Sequence, residues 1–412
     1  MTEAPFVIVG GGLAAARAAE TLREAGYDRE LAIVTAERHR PYERPPLSKD
    51  YLRAEADRTA LFPLDEDWYA DNAVEVRTGA AVVGLDTESR RLTLADGAVM
   101  HYAKLLLATG SEPRALPLPG ADLQGVLTLR TVDEADLLGA SLRRAERNGA
   151  GRLAVIGDGW IGMEVAASAR SLGLDVTVFG RGSLPLRVLG PRMGEVFARL
   201  HIDHGVELRP DTRITGFTGS AGQVTGVRTA DGATAPADMV LIAIGAAPNL
   251  GLAASSGIEL RDAGLGGGIA VDGALRTSAP DVFAAGDIAG IPSAQYGRPL
   301  RVEHWATALH SGAHAARAML GSEEPYDRLP YFFTDQYDLG MEYLGFVADP
   351  ETADEVLVSG STDDLEFVAF WTAEGRVQAA MAVNTWDRMD EVEELIRSRR
   401  RVPAEELKAF RG

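Results

Sequence analysis

The stretch Val7-Ile8-Val9-Gly10-Gly11-Gly12-Leu13-Ala14-Ala15 decides the fold, since an apolar run passes directly through glycines into alanines. The pattern recurs at Leu153-Ala154-Val155-Ile156-Gly157-Asp158-Gly159-Trp160-Ile161-Gly162. Glycine lets the backbone approach a pyrophosphate, and the N-terminus of the following helix supplies N–H donors and partial positive charge. Each loop lies between a strand-like run and an alanine-rich helical stretch, so the two loops predict two dinucleotide sites.

Composition excludes several classes of protein. The chain has 412 residues, no cysteine and a formal charge of −19. Without cysteine, a dithiol relay and thiolate metal sites are impossible, and no metal site is predicted. The acidic balance argues against a nucleic-acid surface, and no apolar run approaches the roughly 20 residues that span a bilayer. No secretory signal is visible at the N-terminus, so we expect a cytoplasmic protein without membrane contact.

The remaining pattern predicts an α/β protein. Short apolar runs followed by helical patterns indicate parallel sheets, and they fall at 6–9, 31–35, 105–108, 153–156 and 174–179. Val74-Glu75-Val76 and the stretch 91–97 look like strands of a meander, with a turn at Asp96-Gly97. From about Gly321, aromatic-rich alternation predicts an antiparallel sheet, closed by a helix over 390–398.

Three domains are therefore expected: two Rossmann-like dinucleotide-binding domains and a C-terminal α+β domain. The predicted boundaries are 1–115 with 246–320, 116–245, and 321–412.

Side chains near the first loop fit a dinucleotide. Glu37 ends the second predicted strand, where a carboxylate can accept both ribose hydroxyls. Downstream, tandem prolines stiffen the chain, and Ser48 is a candidate helix cap. Taken alone, Lys49 would be a surface lysine.

Four motifs together resemble the oxygenase-coupled ferredoxin reductases, which are glutathione-reductase-like flavoproteins. The similarity runs over essentially the whole chain, including Phe333-Thr334-Asp335-Gln336-Tyr337-Asp338. The motifs are P-Y-x-R-P-P-L-S-K at 41–49, Ala108-Thr109-Gly110-Ser111-Glu112-Pro113-Arg114, Ala243-Ile244-Gly245-Ala246-Ala247-Pro248-Asn249 and Val282-Phe283-Ala284-Ala285-Gly286-Asp287.

The resemblance implies that FAD binds at the first loop. Arg44 and Arg130 would hold its phosphates or adenosine end, Asp287 would accept a ribitol hydroxyl, and Lys49 would stabilise the reduced flavin. Trp305 would lie near the flavin ring, although packing in the core would also explain a tryptophan there. His304, beside it, is also consistent with a purely structural role. The full set implied for FAD is Gly10, Gly12, Leu13, Ala14, Glu37, Arg44, Lys49, Val82, Ala108, Thr109, Gly110, Arg130, Asp287, Glu303, His304 and Trp305.

The second loop would bind the nicotinamide dinucleotide. In the family an aromatic residue at the position of Trp160 covers the flavin until the nicotinamide displaces it. Glu164 resembles the glutamate that pairs with the flavin-side lysine and contacts the carboxamide; alternatively, it is a first-turn glutamate favoured by the helix dipole. We predict a Lys49–Glu164 ion pair, with Lys49, Glu164 and Trp305 as the catalytic set. The residues implied for the nucleotide are Gly157, Gly159, Trp160, Ile161, Glu164, Arg181, Arg187 and Gly245.

Gly180 departs from the family pattern. NADH-using relatives carry an acidic residue there, which binds the adenosine ribose. Glycine would leave space for a 2′-phosphate, and Arg181, with Arg187 six residues further on, could pair with it. This predicts use of NADPH, or of both NADPH and NADH.

The resemblance implies hydride transfer from NAD(P)H to flavin N5, followed by single-electron transfer to a small acidic iron–sulfur ferredoxin serving a monooxygenase or dioxygenase. Arg298 and Arg301 are candidate docking residues, and the protein is expected to be a monomer or a weak homodimer. Two alternatives stay open: a cysteine-free reductase of a quinone-like small molecule, and a flavin-bound signalling protein resembling apoptosis-inducing factor.

Overall fold

The computed structural model describes residues 4–149, 151–350 and 355–410. The chain divides into two compact units, each assembled from three separate segments. The first unit comprises Met1–Arg44, Arg58–Glu112 and Ala247–Tyr331, and the second comprises Pro45–Asp57, Pro113–Ala246 and Phe332–Gly412. The predicted three-domain boundaries stay a prediction. The assignment of 45–57 to the second unit was not part of that prediction.

The first unit is built on a five-stranded parallel sheet. Its strands, in spatial order, are Val282–Ala284, Lys104–Leu107, Phe6–Val9, Leu31–Val34 and Val74–Arg77. An antiparallel meander and a second three-stranded sheet accompany it: Val82–Asp86, Arg91–Leu94 and Val99–His101, then Ile269–Ala270, Ala289–Ser293 and Arg298–Leu300. The helices are Leu13–Glu24, Glu66–Asp71, Gly251–Ser255 and Trp305–Met319, with 3₁₀ turns at Arg58–Leu61, Ala263–Leu265 and Gly286–Ile288.

Close packing explains the alanines of the first helix. Leu13–Glu24 packs on Trp305–Met319, and a Cβ at Gly312 would lie only 2.3 Å from the Ala14 carbonyl oxygen. The two helix backbones therefore approach too closely for any larger side chain at that crossing. This contact fixes the helix that begins at the first glycine-rich loop.

The second unit repeats the parallel sheet and adds the C-terminal sheet. The parallel strands, in spatial order, are Glu207–Arg209, Asp175–Phe179, Arg152–Ile156, Met239–Ile242 and Val126–Leu127. A three-stranded antiparallel sheet follows: Ile214–Ser220, Gln223–Thr229 and Thr234–Pro236. The C-terminal sheet has the order Tyr331–Gln336, Leu339–Gly345, Arg376–Val383, Glu366–Ala373 and Glu355–Ser361, the last four pairing antiparallel.

The helices of the second unit are Asp50–Arg53, Val132–Arg147, Trp160–Ser171, Pro191–Asp203, Met389–Ser398 and Ala404–Lys408, with 3₁₀ turns at Pro45–Ser48 and Arg187–Leu189. Two short strands, Ser111–Pro113 and Ala246–Pro248, lie where the chain passes between units.

The predicted fold class is confirmed: parallel α/β sheets are followed by a C-terminal antiparallel sheet. One strand assignment is wrong. Val74–Arg77 is not part of the meander but the edge strand of the parallel sheet, pairing with Leu31–Val34. Within the described ranges, no helix combines the length and apolarity needed to cross a membrane.

Candidate functional site

The first glycine-rich loop turns tightly against the neighbouring strand. Gly10 has a φ of +140°, and a Cβ there would lie 2.1 Å from the Ala108 carbonyl oxygen. By contrast, a Cβ at Gly12 would meet nothing within 4 Å, and Gly12 caps the helix Leu13–Glu24 without a side-chain hydrogen bond. The helix therefore begins at open space with no side-chain acceptor over its first amides, which fits a pyrophosphate.

The second loop has the same construction. Gly157 has a φ of +111°, and its Cβ would lie 2.3 Å from the Ala243 carbonyl oxygen. Gly159 begins the helix Trp160–Ser171, with no side-chain cap and nothing within 4 Å of its Cβ position. Gly162 packs its Cα against the Gly157 carbonyl. Each unit thus carries one loop whose shape fits a dinucleotide phosphate.

Glu37 lies just past the second strand of the first unit, as predicted. Arg44 Nη2 pairs with Glu37 Oε1 at 2.7 Å, and the Tyr42 hydroxyl donates to Oε2. Arg44 also lies 5.1 Å from the centre of the Tyr42 ring. The structure thus places Arg44 on the Glu37 carboxylate, where it orients that group; the predicted ribose contact of Glu37 and phosphate contact of Arg44 stay predictions. Tyr42 was not identified from the sequence, although it stands inside the quoted 41–49 motif.

Two of the resemblance motifs meet in the first unit. Thr109 Oγ1 donates to the Asn249 carbonyl, and Asn249 Nδ2 returns a bond to the Thr109 carbonyl, both at 2.9 Å. The Asn249 N–H donates to the carbonyl of Gly110, whose φ is +62°. This reciprocal bonding holds the loop that follows the strand Lys104–Leu107.

Asp287 is buried at a tight turn. The Ser111 hydroxyl donates to Asp287 Oδ2 at 2.9 Å. Gly286 adopts a φ of +73°, and its N–H donates to Ser311 Oγ at 2.9 Å. A Cβ at Gly286 would be 3.5 Å from that of Ala14, so the turn lies close to the start of the helix Leu13–Glu24; the predicted ribitol contact of Asp287 stays a prediction.

Glu303, His304 and Trp305 precede or begin the helix Trp305–Met319. Burial lowers the pKa of His304 to about 4, so its imidazole is neutral at physiological pH. Burial raises the pKa of Glu43, against an opposing hydrogen bond from the Trp305 side chain. Glu303 pairs with Arg301, whose guanidinium also donates to the carbonyls of Gly266 and Asp287. Arg301 therefore makes several internal contacts, and its choice as a docking residue stays a prediction.

The predicted Lys49–Glu164 ion pair is present. Lys49 Nζ lies 2.9 Å from Glu164 Oε1, and the two side chains are 9% and 7% exposed. Lys49 Nζ also donates to the Pro45 carbonyl at 3.2 Å and lies 5.7 Å from the centre of the Phe333 ring. Both charged groups are nearly removed from water, so each needs the opposite charge of the other to offset its cost of burial. The flavin-stabilising role of Lys49 stays a prediction.

The Ser48 side chain does not cap a helix. Ser48 ends the 3₁₀ turn Pro45–Ser48, and the helix Asp50–Arg53 begins after Lys49 without a side-chain cap. The Ser48 hydroxyl instead donates to Glu164 Oε2. The stiff proline turn therefore presents two adjacent side chains to one buried carboxylate.

A chain of buried polar side chains continues from Glu164. Thr334 Oγ1 donates to Glu164 Oε1 at 2.6 Å, and Gln336 Nε2 donates to Thr334 Oγ1 at 3.3 Å. His201 Nε2 lies 2.8 Å from Gln336 Oε1, and the Tyr337 hydroxyl lies 3.4 Å from His201 Nδ1. Burial lowers the pKa of His201 to about 4. Both oxygens of Glu164 are thus held in fixed positions. Thr334 and Gln336 lie in the quoted 333–338 motif, but the sequence did not assign them a role.

Trp160 begins the second dinucleotide helix. Its ring centre lies 4.4 Å from that of Phe332 and 6.0 Å from that of Phe197, the latter edge-on. The neighbouring Ile161 is exposed. The predicted function of Trp160 as a displaceable cover over the flavin stays a prediction.

The space at Gly180 is occupied by the Asp158 carboxylate rather than open, and the predicted use of NADPH, or of both NADPH and NADH, stays a prediction. A Cβ at Gly180 would lie 2.3 Å from Asp158 Oδ2. The Arg187 stem packs on Gly182, with Cδ 2.8 Å from that residue's Cβ position. Arg181 and Arg187 are both exposed.

The other predicted residues take supporting positions. The Arg130 N–H donates to Glu134 Oε2 at 2.9 Å, ahead of the helix Val132–Arg147. Val82 begins the meander and packs on the core of the first unit. Gly245 has a φ of +95°, and its carbonyl accepts from the Arg114 N–H at 2.9 Å. Over the described residues, no group of three or more histidine or acidic side chains could hold a metal ion.

The duplicated loop defines the class of protein. A family model described as pyridine nucleotide-disulphide oxidoreductase matches residues 4–312, and one described as reductase C-terminal matches residues 331–410. The chain belongs to the pyridine nucleotide-disulphide oxidoreductase family. Because it contains no cysteine, it is a member without the dithiol chemistry in that description.

The individual relatives that this chain resembles include reductases of ferredoxin and putidaredoxin. The chain is 38% identical to the ferredoxin–NAD(+) reductase component of the anthranilate 1,2-dioxygenase system of Burkholderia cepacia, over 93% of this chain and 92% of the relative. The ferredoxin reductase of the CYP199A2 system from Rhodopseudomonas palustris matches with a TM-score of 0.90 and 34% identity, over 99% and 98% of the two chains. The reductase in the covalent putidaredoxin reductase–putidaredoxin complex matches with a TM-score of 0.91 and 32% identity, over 99% and 96%.

Proposed function

We propose that this protein is an FAD-containing NAD(P)H:ferredoxin oxidoreductase that supplies electrons to an oxygenase. The observation that carries the proposal is the pair of glycine-opened, uncapped helix N-termini, one in each unit, in a chain without cysteine. The first fits a resident dinucleotide and the second a dinucleotide substrate. The full-length similarity to ferredoxin reductases of oxygenase systems supports the same assignment.

The residues of the first unit would hold FAD. The helix beginning at Gly12 would bind the pyrophosphate, Glu37 a ribose, and Asp287 a ribitol hydroxyl. Bound there, FAD would supply the chemistry that links a two-electron hydride donor, NAD(P)H, to a one-electron iron–sulfur acceptor. Arg44 keeps Glu37 oriented, and the neutral His304 adds no charge beside this site.

The residues of the second unit would hold the nicotinamide dinucleotide. The helix beginning at Gly159 would bind its pyrophosphate, and Glu164 its carboxamide. Lys49, Ser48 and Thr334 fix both carboxylate oxygens, so that Glu164 meets its ligand in one orientation. A preorganised acceptor of this kind positions a substrate at low entropic cost.

The proposed acceptor is a small acidic iron–sulfur ferredoxin. The reductase–putidaredoxin complex supports a ferredoxin of some kind, while the acidity of the partner and a monomeric or weakly dimeric state are our own expectations. We also propose a cytoplasmic location, because NAD(P)H is an intracellular reductant.

Stopped-flow mixing of the purified flavoprotein with NADH or NADPH tests the first half-reaction, through bleaching of the visible flavin band. A following single-turnover step with an oxygenase ferredoxin tests the second, through the iron–sulfur spectrum. We expect fast bleaching and subsequent ferredoxin reduction. Absence of bleaching with both nucleotides would reject the proposal, whereas bleaching without ferredoxin reduction would favour the small-molecule reductase.

A further inference from the structure

The end of the second strand of the nucleotide-binding sheet carries an unusual pair, Gly180 and Asp158. Gly180 directly follows the strand Asp175–Phe179, and Asp158 stands between the glycines of the loop. The Asp158 carboxylate reaches across to the strand end, because its Oδ2 lies 2.3 Å from the Cβ position of Gly180. A side chain at 180 would therefore require the Asp158 carboxylate to turn away from the strand end.

Backbone hydrogen bonds hold the chain on both sides of this contact, so only a rotation of the Asp158 side chain would relieve it. The Gly180 N–H donates to the Arg209 carbonyl at 3.0 Å, and the Gly180 carbonyl accepts from the Thr212 N–H at 2.8 Å. The Asp158 carbonyl accepts from the N–H of the buried Leu186 at 3.0 Å. The glycine at 180 is thus explained by the aspartate at 158 rather than by a phosphate.

The Asp158 carboxylate is half-buried, and within the described chain it forms no ion pair. Burial raises its pKa, while a hydrogen bond from its own backbone N–H and the positive charge of Arg187 act in the opposite direction. A carboxylate has about four lone-pair sites, so Asp158 can accept further hydrogen bonds from a ligand at this position.

The strand end after a glycine-rich dinucleotide loop is where a carboxylate accepts the adenosine ribose hydroxyls, and where it would repel a 2′-phosphate. We propose that Asp158 supplies this carboxylate from the loop in place of the missing side chain at 180, and that the chain therefore selects NADH over NADPH. The inference rests on the proposed function, since it concerns the same nucleotide site.

Arg181 is the side chain that would favour a 2′-phosphate. Its side chain is exposed, so its attraction for a phosphate is screened by water and salt. The Asp158 carboxylate is half-buried and is therefore screened less. Of the two opposing charges, the carboxylate therefore has the larger effect, and the site favours a nucleotide whose adenosine ribose has a free 2′-hydroxyl.

Isothermal titration of the flavoprotein with AMP and with adenosine 2′,5′-bisphosphate isolates this contact from turnover. For the wild type we expect the bisphosphate to bind at least about tenfold more weakly, the order expected for like charges in a partly solvated site. Asp158→Asn should bring the two dissociation constants within roughly threefold. Asp203→Asn, which removes an exposed carboxylate at the end of the helix Pro191–Asp203, should leave the ratio at its wild-type value.

A reciprocal exchange tests the position of the charge. Asp158→Gly should lose the discrimination, and the double variant D158G/G180D should recover it, because the acid returns to the strand end without a clash. G180D alone should be destabilised. Equal or tighter binding of the bisphosphate by the wild type, or failure of Asp158→Asn to change the ratio, would overturn the inference while leaving the proposed function intact. Failure to bind either nucleotide would overturn both.

Discussion

Removing either partner of the Lys49–Glu164 pair should destabilise the second unit strongly, whereas neutralising both should be far less harmful. Lys49→Met leaves a carboxylate that is 7% exposed with only hydroxyl donors, and Glu164→Gln leaves an ammonium that is 9% exposed without its ion-pair partner, so that Asp335 is its remaining neighbouring carboxylate. Breaking a buried pair costs about 3–5 kcal/mol, while replacing both charges by neutral groups is often close to neutral. In the double variant, Gln retains an amide oxygen that can still accept from Thr334.

Scanning calorimetry of the flavoprotein is the appropriate assay, because a chain of two compact units need not unfold in one step. At roughly 2–4 °C per kcal/mol for a unit of this size, each single variant should lower the affected transition by about 6–20 °C. The double variant should recover most of that loss.

The surface pair Arg152–Asp238 provides a matched control in the same unit. Its side chains are 47% and 49% exposed, so Arg152→Met should cost less than about 1 kcal/mol. A double variant of the buried pair that loses the sum of the two single effects would refute the idea that each charge depends on the other.

Three further outcomes are expected. Gly157→Ala should cost more than about 2 kcal/mol, because its Cβ would lie 2.3 Å from a backbone oxygen at a positive φ; Gly159→Ala, with nothing within 4 Å, should melt like the wild type yet bind AMP more weakly in titration calorimetry. Thr334→Val should lower stability by about 1–2 kcal/mol in thermal melts, because it removes the 2.6 Å bond to the buried carboxylate; a melt equal to that of the wild type would contradict this. The pKa of His201 falls from 6.5 to about 4 on folding, so the unfolded chain binds the extra proton in this window and stability falls as the pH drops from 6.5 to 4, by about 3 kcal/mol; His201→Gln should show a shallower loss across the same range.

The sequence predicts what depends on neighbours along the chain. Apolar runs and adjacent glycines are local signals, so both dinucleotide loops and the helix Met389–Ser398 could be placed without a structure. The strand Val74–Arg77 was misassigned because strand length and composition do not reveal which sheet a strand joins.

Contacts between distant parts of the chain were not accessible in this way. The Lys49–Glu164 pair was expected only through a family resemblance, because nothing local connects the two residues. Asp158 was overlooked for the same reason: the geometry that gives Gly180 its meaning lies across the loop. Gly180 by itself suggested space, whereas the folded chain fills that space with a carboxylate.

The interleaving of the two units has a consequence for synthesis on the ribosome. The first unit requires a segment that ends at Tyr331, and the second draws on residues from 45 to the C-terminal region. At about 5–20 residues per second, neither can be completed until on the order of tens of seconds of translation have passed. The early-made segment Pro45–Asp57, which carries Ser48 and Lys49, must wait for partners made much later. A nascent chain of this kind remains exposed to chaperones and proteases until about its last fifth, Phe332–Gly412, emerges.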